Sequence, residues 1–247
     1  MRNLKLEIEY EGASYCGWQV QTRNKKKKSI QSVLESALSK ILQERIHLAG
    51  SGRTDAGTHA LAQVANFRTS SNIPLKKLRL GLNALLPDDI VIAKIKEVGP
   101  SFHSRFDAKS KVYRYIILNR SYPSAMLRNK AYFYPYPLDT RLMQQEAGVL
   151  LGRHNFKSFQ ARDKKERDPV KTIKKIRVSR NKDFIYVDIE ADGFLYNMVR
   201  NIAGTLVEIG RGKISRGSLK KILLSRDRRI AGPTLSACGL YLVKVKY

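Results

Sequence analysis

Cysteine is scarce in this chain, whose 247 residues contain only Cys16 and Cys238. Two cysteines cannot form the disulfide framework that stabilises many small secreted domains. They do not form a Cys-x-x-Cys pair, and the four histidines are scattered along the chain. Zinc sites need clustered ligands, so the sequence predicts no metal centre.

Long apolar runs are also missing from the sequence. A membrane-spanning helix needs about 18 to 20 consecutive apolar residues, and no segment approaches that length. The first residues, Met1 to Lys5, mix charged and apolar side chains and lack the apolar core of a signal peptide. We therefore expect no membrane partner and a cytoplasmic location.

Negative charge is in short supply. The chain has 21 Asp and Glu against 47 Lys and Arg, which gives a formal net charge of +26. Such an excess attracts polyanions, and RNA and DNA are the chief polyanions of a cell. Because 43% of the residues are hydrophobic, the charge does not indicate disorder, and we expect a globular protein that binds nucleic acid.

The first hundred residues alternate between strand and helix patterns. Apolar and charged side chains alternate over 4–10, which predicts a strand with one buried face. Helical spacing predicts a helix from Ile30 to Leu42, with Ser29 as its N-cap, and another that starts near Pro74. Further strands are predicted at 46–50, 61–68 and 90–98. The order β-α-β-β-α-β is that of a split βαβ unit.

The second part of the chain has a similar mixture of elements. Strands are predicted at 109–118, 131–136, 172–179, 183–191 and 239–246, and helices at 139–151, 195–209 and 218–224. We predict an α+β protein with two ferredoxin-like or RRM-like halves, residues 1–105 and 106–247. Their antiparallel sheets would join around a central catalytic cleft. Lys25 to Lys28, in the basic loop at 23–28, are expected to be solvated, with phosphate contact as a second interpretation. The charged stretch at 162–182 is expected to be a mobile, basic excursion before and into its hairpin.

The segment Gly50 to Ala60 has the most unusual sequence pattern in the chain. Three of its glycines, at 50, 52 and 57, frame Arg53 and Asp55. The segment lacks the Lys-Ser/Thr of a phosphate-binding P-loop and the spacing of a dinucleotide fingerprint. It could be a tight turn in which Asp55 caps local amides. Alternatively, a neighbouring guanidinium could keep Asp55 ionised as a nucleophile, which would suit glycosidic chemistry at a nucleoside.

The residues around Asp55 resemble the signature of the tRNA pseudouridine synthase A family. Similar blocks follow the family's order along nearly the whole chain: Tyr15 to Gln21, Gly52 to Ala60, Gln63 to Phe67, Phe102 to Ala108, Lys111 to Tyr115, Gly152 to Phe156, Phe194 to Asn201, Ala231 to Thr234 and Gly239 to Leu242. The resemblance implies the pseudouridine synthase fold, a homodimer, and isomerisation of uridine at positions 38, 39 and 40 of the tRNA anticodon stem-loop.

The resemblance also implies roles for particular residues. Asp55 would be the nucleophile, Arg53 would assist flipping of the target base, and Tyr113 would stack on the uracil and act as a possible base. Arg200 would pair with Asp55, and Leu242 would line the pocket. The residues expected to touch the RNA are Phe102, His103, Ser104, Arg105 and Phe106. No cofactor is expected, because the base leaves C1′, rotates and reattaches through C5 without a redox or phosphoryl carrier.

Three residues depart from the family's usual pattern. Thr58 stands where valine is common, and it is close enough to valine in shape to be compatible with the activity. Tyr196 and Asn197 stand where histidines often occur, so no role is carried over to those two side chains. Without the resemblance, Tyr113 would be read as a core residue and Arg200 as a solvated helix residue. The resemblance leaves open whether Asp55 attacks C1′, attacks the pyrimidine ring or assists an elimination.

Two other functions compete with this interpretation. A noncatalytic RNA-binding or assembly factor fits the charge, although an RRM-type binding string is missing from the sequence. A base deaminase is disfavoured because both the His-x-Glu and the Cys-x-x-Cys zinc signatures are missing.

Overall fold

A computed structural model describes residues 1–20, 28–163 and 168–247. Of the basic run at 23–28 it describes Lys28 alone, and residues 164–167 of the charged stretch also lie outside the described ranges. Within those ranges the elements in chain order are β1 (Arg2–Tyr10), α1 (Ile30–Leu42), β2 (Ala49–Gly50), β3 (His59–Thr69), α2 (Leu75–Leu85), β4 (Ile90–Val98), β5 (Ser110–Leu118), β6 (Tyr132–Phe133), α3 (Thr140–Ala147), β7 (Gly152–Asn155), β8 (Val170–Asn181), β9 (Phe184–Ala191), α4 (Met198–Gly210), α5 (Ser218–Ser225) and β10 (Leu240–Lys246). The α+β class is confirmed.

The chain divides into two compact units. The first comprises Met1–Lys109 together with Tyr241–Tyr247, and the second comprises Ser110–Leu240. The sequence prediction placed 241–247 in the second half, whereas the structure groups this segment with the first unit. The reason is a parallel pairing in which Tyr241 and Leu242 of β10 lie beside His59 and Ala60 of β3.

The sheet of the first unit has the strand order β4-β1-β3-β10, and β2 pairs with β3. The β1 strand is antiparallel to both of its neighbours, with Leu6 opposite Ala65 of β3 and Ile95 of β4. The apolar side chains of β1 that alternate in the sequence, Leu4, Leu6 and Ile8, are completely buried. The predicted strand therefore forms with its apolar face in the core.

The helix α1 shows how local chemistry sets an element's start. Ser32 N–H donates to Ser29 Oγ at 3.1 Å, and Ser29 N–H donates to Ser32 Oγ at 3.2 Å, so the two residues form a reciprocal capping box. Ile30, Leu34 and Leu38 follow at helical spacing and are fully buried. Both the predicted cap and the predicted extent of this helix are confirmed.

The sheet of the second unit has the order β5-β9-β8-β7, and β6 adds to β5 in parallel. The β8–β9 hairpin predicted from alternation forms, with Val178 opposite Val187. The inner face of the sheet carries Tyr115 and Val187, which face each other across β5 and β9 and are fully buried. The helix α4 is buried over most of its length, so it forms the core of this unit.

Candidate active site

Asp55 lies in the loop that joins β2 to β3, and the start of this loop is bonded to β3. Ser51 N–H donates to the Val64 carbonyl at 2.7 Å, and Ser51 Oγ donates to Gln63 Oε1 at 2.6 Å. Gln63 Nε2 in turn donates to the Gly52 carbonyl at 3.0 Å. Both Ser51 and Gln63 are fully buried, so these bonds are shielded from water.

The middle of the loop is held by β1 and by the segment that follows it. The hydroxyls of Tyr10 and Thr54 share a hydrogen bond of 2.7 Å, and Trp18 N–H donates to the Thr54 carbonyl at 3.1 Å. Burial raises the pKa of the Tyr10 hydroxyl well above its ordinary value, against the smaller opposing effect of hydrogen bonds to Thr54 and Gln63. Tyr10 therefore remains protonated and bonded to the loop at every physiological pH.

Two glycines allow the backbone of the first unit to approach the loop. A Cβ at Gly12 would lie 1.9 Å from the Thr58 carbonyl oxygen, and one at Gly17 would lie 2.6 Å from the Thr54 carbonyl oxygen. Gly17 also has φ +104°, a conformation that favours glycine. The Gly12 N–H donates to Nδ1 of His59 at 3.1 Å, which joins the same segment to the start of β3. The backbone of the segment that follows β1 therefore packs against the loop at two points, Thr54 and Thr58.

We call the loop between β2 and β3, fixed by these contacts, the braced loop. Its two charged side chains differ in exposure to solvent. Arg53 is exposed and Asp55 is partly buried, whereas the residue between them, Thr54, is buried. A carboxylate in a partly buried position on a rigid loop has the placement that a nucleophile needs. The loop thus fixes the backbone of the two residues that the sequence singled out.

Thr58, which departs from the family's usual valine, has a buried hydroxyl. Its Oγ1 has no hydrogen-bond partner among the residues the structure describes, and the residue is 1% exposed. A buried hydroxyl without a hydrogen-bond partner lowers the stability of the folded state. Valine has no hydroxyl and would avoid this cost.

Leu242 lies next to the same part of the first unit. It is opposite Ala60 in the short parallel pairing of β10 with β3 and is fully buried. Its neighbour Tyr241 stacks on His59 with ring centroids 4.6 Å apart. The strand with Leu242 therefore borders the end of the loop that contains Asp55.

The segment Phe102 to Phe106 has a buried anchor and an exposed end. Ser104 is fully buried, its N–H donates to Asn66 Oδ1 at 2.9 Å, and its hydroxyl donates to the Ala49 carbonyl. Phe102 lies 5.0 Å from the Tyr247 ring, and the Tyr247 hydroxyl donates to the Ser104 carbonyl at 2.8 Å. These contacts fix the segment on the first unit.

The exposed end of this segment combines aromatic and cationic groups. Phe106 is 74% exposed, its ring centroid lies 4.3 Å from that of His103, and the Arg105 guanidinium lies 5.7 Å from the same ring. Exposed rings and cations of this kind suit contact with bases and phosphates. Of the five residues expected to touch RNA, Ser104 is the one without exposed surface.

Tyr113 and Arg200 belong to the second unit. Tyr113 lies on β5, is 8% exposed and meets Phe194 edge to face at 4.9 Å between ring centroids. Arg200 lies in the first turn of α4 and is partly buried. Its Nε donates to the Leu235 carbonyl at 2.6 Å and its Nη1 donates to Asn197 Oδ1 at 2.8 Å.

Sequence reasoning missed Tyr10 and Asn197, which bond to residues of the site. Tyr10 was assigned to the buried face of β1, and no local pattern could reveal a bond to a residue 44 positions away. The position of Asn197 directly before an apolar helix is typical of an N-cap, and that pattern would not have found its bond to Arg200, because its side chain makes no capping bond. Within the described ranges, no group of three or more His, Cys, Asp or Glu side chains could hold a metal ion. None of the described helices has the length and apolar character needed to cross a bilayer.

Comparison with known proteins identifies the class of this protein. The family model described as tRNA pseudouridine synthase matches residues 7–107 and 147–247, and the chain belongs to this family. It is therefore an isomerase that converts uridine to pseudouridine in tRNA.

Individual relatives match over the full length of the chain. It is 45% identical over 247 residues to tRNA pseudouridine synthase A of Thermoanaerobacter sp. (strain X514), with 100% of both chains covered. It is 46% identical, also with 100% of both chains covered, to tRNA pseudouridine synthase A of Acetivibrio thermocellus. The protein of the same name from Clostridium acetobutylicum is 43% identical with the same coverage.

Proposed function

We propose that this protein isomerises uridine at positions 38, 39 and 40 of the tRNA anticodon stem-loop, as a cytoplasmic homodimer, with Asp55 as the nucleophile. The observation that carries the proposal is the braced loop, in which buried bonds to Ser51 and Thr54 fix the backbone on either side of Arg53. A rigid loop of this kind keeps a reacting carboxylate at a constant position without ordering it anew in each turnover.

The reaction requires few chemical groups. The N1–C1′ bond of the target uridine breaks, the uracil rotates, and a C5–C1′ bond forms. The proton on C5 is lost and N1 gains one, so the product is an isomer of the substrate and no electrons are exchanged. The proposal assigns the covalent step to Asp55, and Tyr113 is placed against the uracil as a stacking partner and possible base.

The cationic residues have two separate tasks in this proposal. Arg200 partners the carboxylate of Asp55 and keeps it ionised, since a nearby guanidinium lowers the pKa of a carboxyl group. Arg53 is exposed, as a residue must be if it is to enter the stem where the flipped base leaves it. Leu242 lines the pocket for the target base with an apolar side chain.

The segment Phe102 to Phe106 is proposed to contact the RNA through its exposed end. His103, Arg105 and Phe106 offer rings and a cation for bases and phosphates, while Phe102 packs against Tyr247. We assign to Ser104 the task of anchoring the segment through its bonds to Asn66 and Ala49.

The decisive experiment compares the wild type with Asp55→Asn on an unmodified tRNA transcript that carries tritium on C5 of its uridines. The wild type should release tritium to water, and mapping should place pseudouridine at positions 38 to 40. Asp55→Asn should bind the tRNA and release none. Asp88→Asn is the matched control, because Asp88 is an exposed carboxylate of the same unit and its loss should leave turnover unchanged.

Two outcomes would contradict the proposal. Tritium release by Asp55→Asn at the wild-type rate would remove Asp55 from the chemistry. Pseudouridine formed by the wild type only outside positions 38 to 40 would contradict the proposed target positions. Sedimentation equilibrium tests the homodimer separately, since a monomeric mass at working concentration would contradict it.

A further inference from the structure

Asn197 occupies the N-cap position of α4 without performing the usual task of an N-cap. Its backbone lies in the left-handed region, with φ 58° and ψ 11°, and its side chain makes no capping bond. Asparagine at this position ordinarily accepts a hydrogen bond from an amide of the first helical turn. Here its Oδ1 instead accepts a hydrogen bond of 2.8 Å from Nη1 of Arg200.

Arg200 is held at a second point on the same guanidinium. Its Nε donates to the Leu235 carbonyl at 2.6 Å. Because the guanidinium is planar, acceptors at Nε and at Nη1 together fix both the position of the group and the orientation of its plane. These two bonds use two of the five N–H donors that an arginine carries.

The Leu235 carbonyl is itself a fixed acceptor. The preceding segment is tied to α4 through Thr234 Oγ1, which donates to Asn201 Oδ1 at 2.5 Å, and through Gly232 N–H, which donates to Thr205 Oγ1 at 2.9 Å. Leu235 is 4% exposed. One anchor of the guanidinium therefore belongs to a segment that is bonded to the buried residues Asn201 and Thr205 of α4, and the other depends on the side chain of Asn197.

We propose that Asn197 is a positioning residue, which orients the Arg200 guanidinium for the catalytic task that the proposed function assigns to it. The inference rests on the proposed function, because it takes the role of Arg200 from there. Asn197 suits the task on two grounds, since asparagine tolerates the left-handed region and its amide oxygen reaches Nη1 of a residue three positions later. It acts through Arg200 and does not itself touch the substrate.

The test deletes the amide and leaves the backbone undisturbed. Glycine adopts the left-handed region without strain, so Asn197→Gly removes Oδ1 while preserving the start of α4. With unmodified tRNA transcript as substrate, we expect kcat to fall about 10-fold while KM changes less than about 2-fold, because misorientation affects the chemical step more than RNA binding. Asn197→Asp retains an oxygen acceptor at the same place and should restore most of the wild-type kcat.

A matched control excludes a general effect of glycine. Gln43, the C-cap of α1, has φ 52° and is exposed, so Gln43→Gly makes the same backbone change at a residue with no role in the site. Its kcat should equal that of the wild type. In an Arg200→Lys background Asn197→Gly should have no further effect on kcat, because the two changes remove the same interaction.

Several results would overturn the inference. They are an unchanged kcat in Asn197→Gly, an equal loss in Asn197→Asp, an equal loss in Gln43→Gly, or additive effects with Arg200→Lys. NMR of the arginine side chains provides a readout independent of turnover. Restricted rotation of the Arg200 guanidinium in the wild type should be lost in Asn197→Gly. Identical NMR signals in the two proteins would refute the inference about Asn197, whatever the wild type does with tRNA. Failure of the wild type to form pseudouridine would refute the proposed function alone.

Discussion

The hydroxyl of Tyr10 on β1 shares a 2.7 Å hydrogen bond with the hydroxyl of Thr54, the residue directly before Asp55. Both residues are buried, with exposures of 3% and 6%. The bond connects the central sheet of the first unit to the loop of the proposed nucleophile, so a substitution on β1 can alter chemistry that takes place on the loop.

Tyr10→Phe should weaken both stability and turnover. It leaves a buried threonine hydroxyl without this partner, which costs about 1–3 kcal/mol in the free energy of unfolding. We expect kcat to fall about 10-fold, because the loop loses one of its fixed points. Urea unfolding and single-turnover rates measure the two effects. Wild-type kcat with reduced stability would mean that the bond serves the fold alone.

Thr58→Val should stabilise the protein. The hydroxyl of Thr58 is buried and lacks a hydrogen-bond partner in the described part of the chain, and valine fills nearly the same volume without it. We expect a gain of about 1 kcal/mol in the free energy of unfolding. The same exchange at Thr54 removes the bond to Tyr10 and should cost about 1–3 kcal/mol. Chemical denaturation of both variants checks the opposite signs, and a loss of stability in Thr58→Val would contradict the prediction.

Gly12→Ala should disrupt the loop. Its new methyl group would lie 1.9 Å from the Thr58 carbonyl oxygen, and a backbone atom cannot move away as a side chain could. We expect a loss of about 3 kcal/mol or more. Gly99→Ala is the control, because a Cβ there has no neighbour within 4 Å among the described atoms, and its effect should be within about 0.5 kcal/mol. Thermal melts of the two variants should differ accordingly, and equal melting temperatures would rule out the steric argument.

Asp227 should contribute to stability in a pH-dependent way. Hydrogen bonds from the Arg229 side chain, aided by the Arg229 amide, lower the pKa of its carboxyl to about 2. A carboxyl whose pKa is lower in the folded state stabilises the protein above its unfolded pKa of about 4, and this contribution disappears as the pH falls towards 2. Because the pair with Arg229 is exposed, Asp227→Asn should be only slightly less stable than the wild type at pH 6, and the difference should disappear as the pH falls through about 2. Unfolding curves across this range measure it, and a difference independent of pH would contradict the assignment.

The affinity for tRNA should depend steeply on salt. With a net charge of +26, binding releases many counterions, and we expect affinity to fall about 1,000-fold or more between about 50 and about 200 mM salt. Asp55→Asn should show the same slope as the wild type, because the carboxylate contacts no phosphate in the proposed mechanism. Fluorescence anisotropy with an unmodified transcript measures both slopes. A shallow wild-type slope would mean that most of the basic residues lie away from the RNA.

Much of the fold follows from local patterns in the sequence. The helix from Ile30 to Leu42 could be predicted to its ends because its cap and its apolar spacing are both local. The strand β7, Gly152–Asn155, was not predicted, because its four residues lack alternation and are recognisable only by pairing with β8. The strand predicted at 46–50 is reduced to Ala49–Gly50, and the helix predicted at 139–151 ends at Ala147 before a 3₁₀ turn over Gly148–Leu150.

For the candidate site, the sequence located the residues that carry charge but not those that hold them in place. Arg53 and Asp55 stand out because glycines surround them. The contribution of Tyr10 depends on a contact between distant segments, which no local pattern encodes. The bond between Asn197 and Arg200 spans only three residues, yet it exists because the Asn197 side chain does not cap the helix.

The pairing of β10 with β3 has a consequence for synthesis on the ribosome. Residues 241–247 belong to the first unit, but they are translated only after the whole of the second unit, residues 110–240. The first unit can therefore begin to collapse early in translation, while its sheet must wait for the strand that borders His59 and Ala60. Nascent chains that stall within the second unit would carry Asp55 without its neighbouring strand, so the chain cannot complete the surroundings of Asp55 until residues 241–247 have been made.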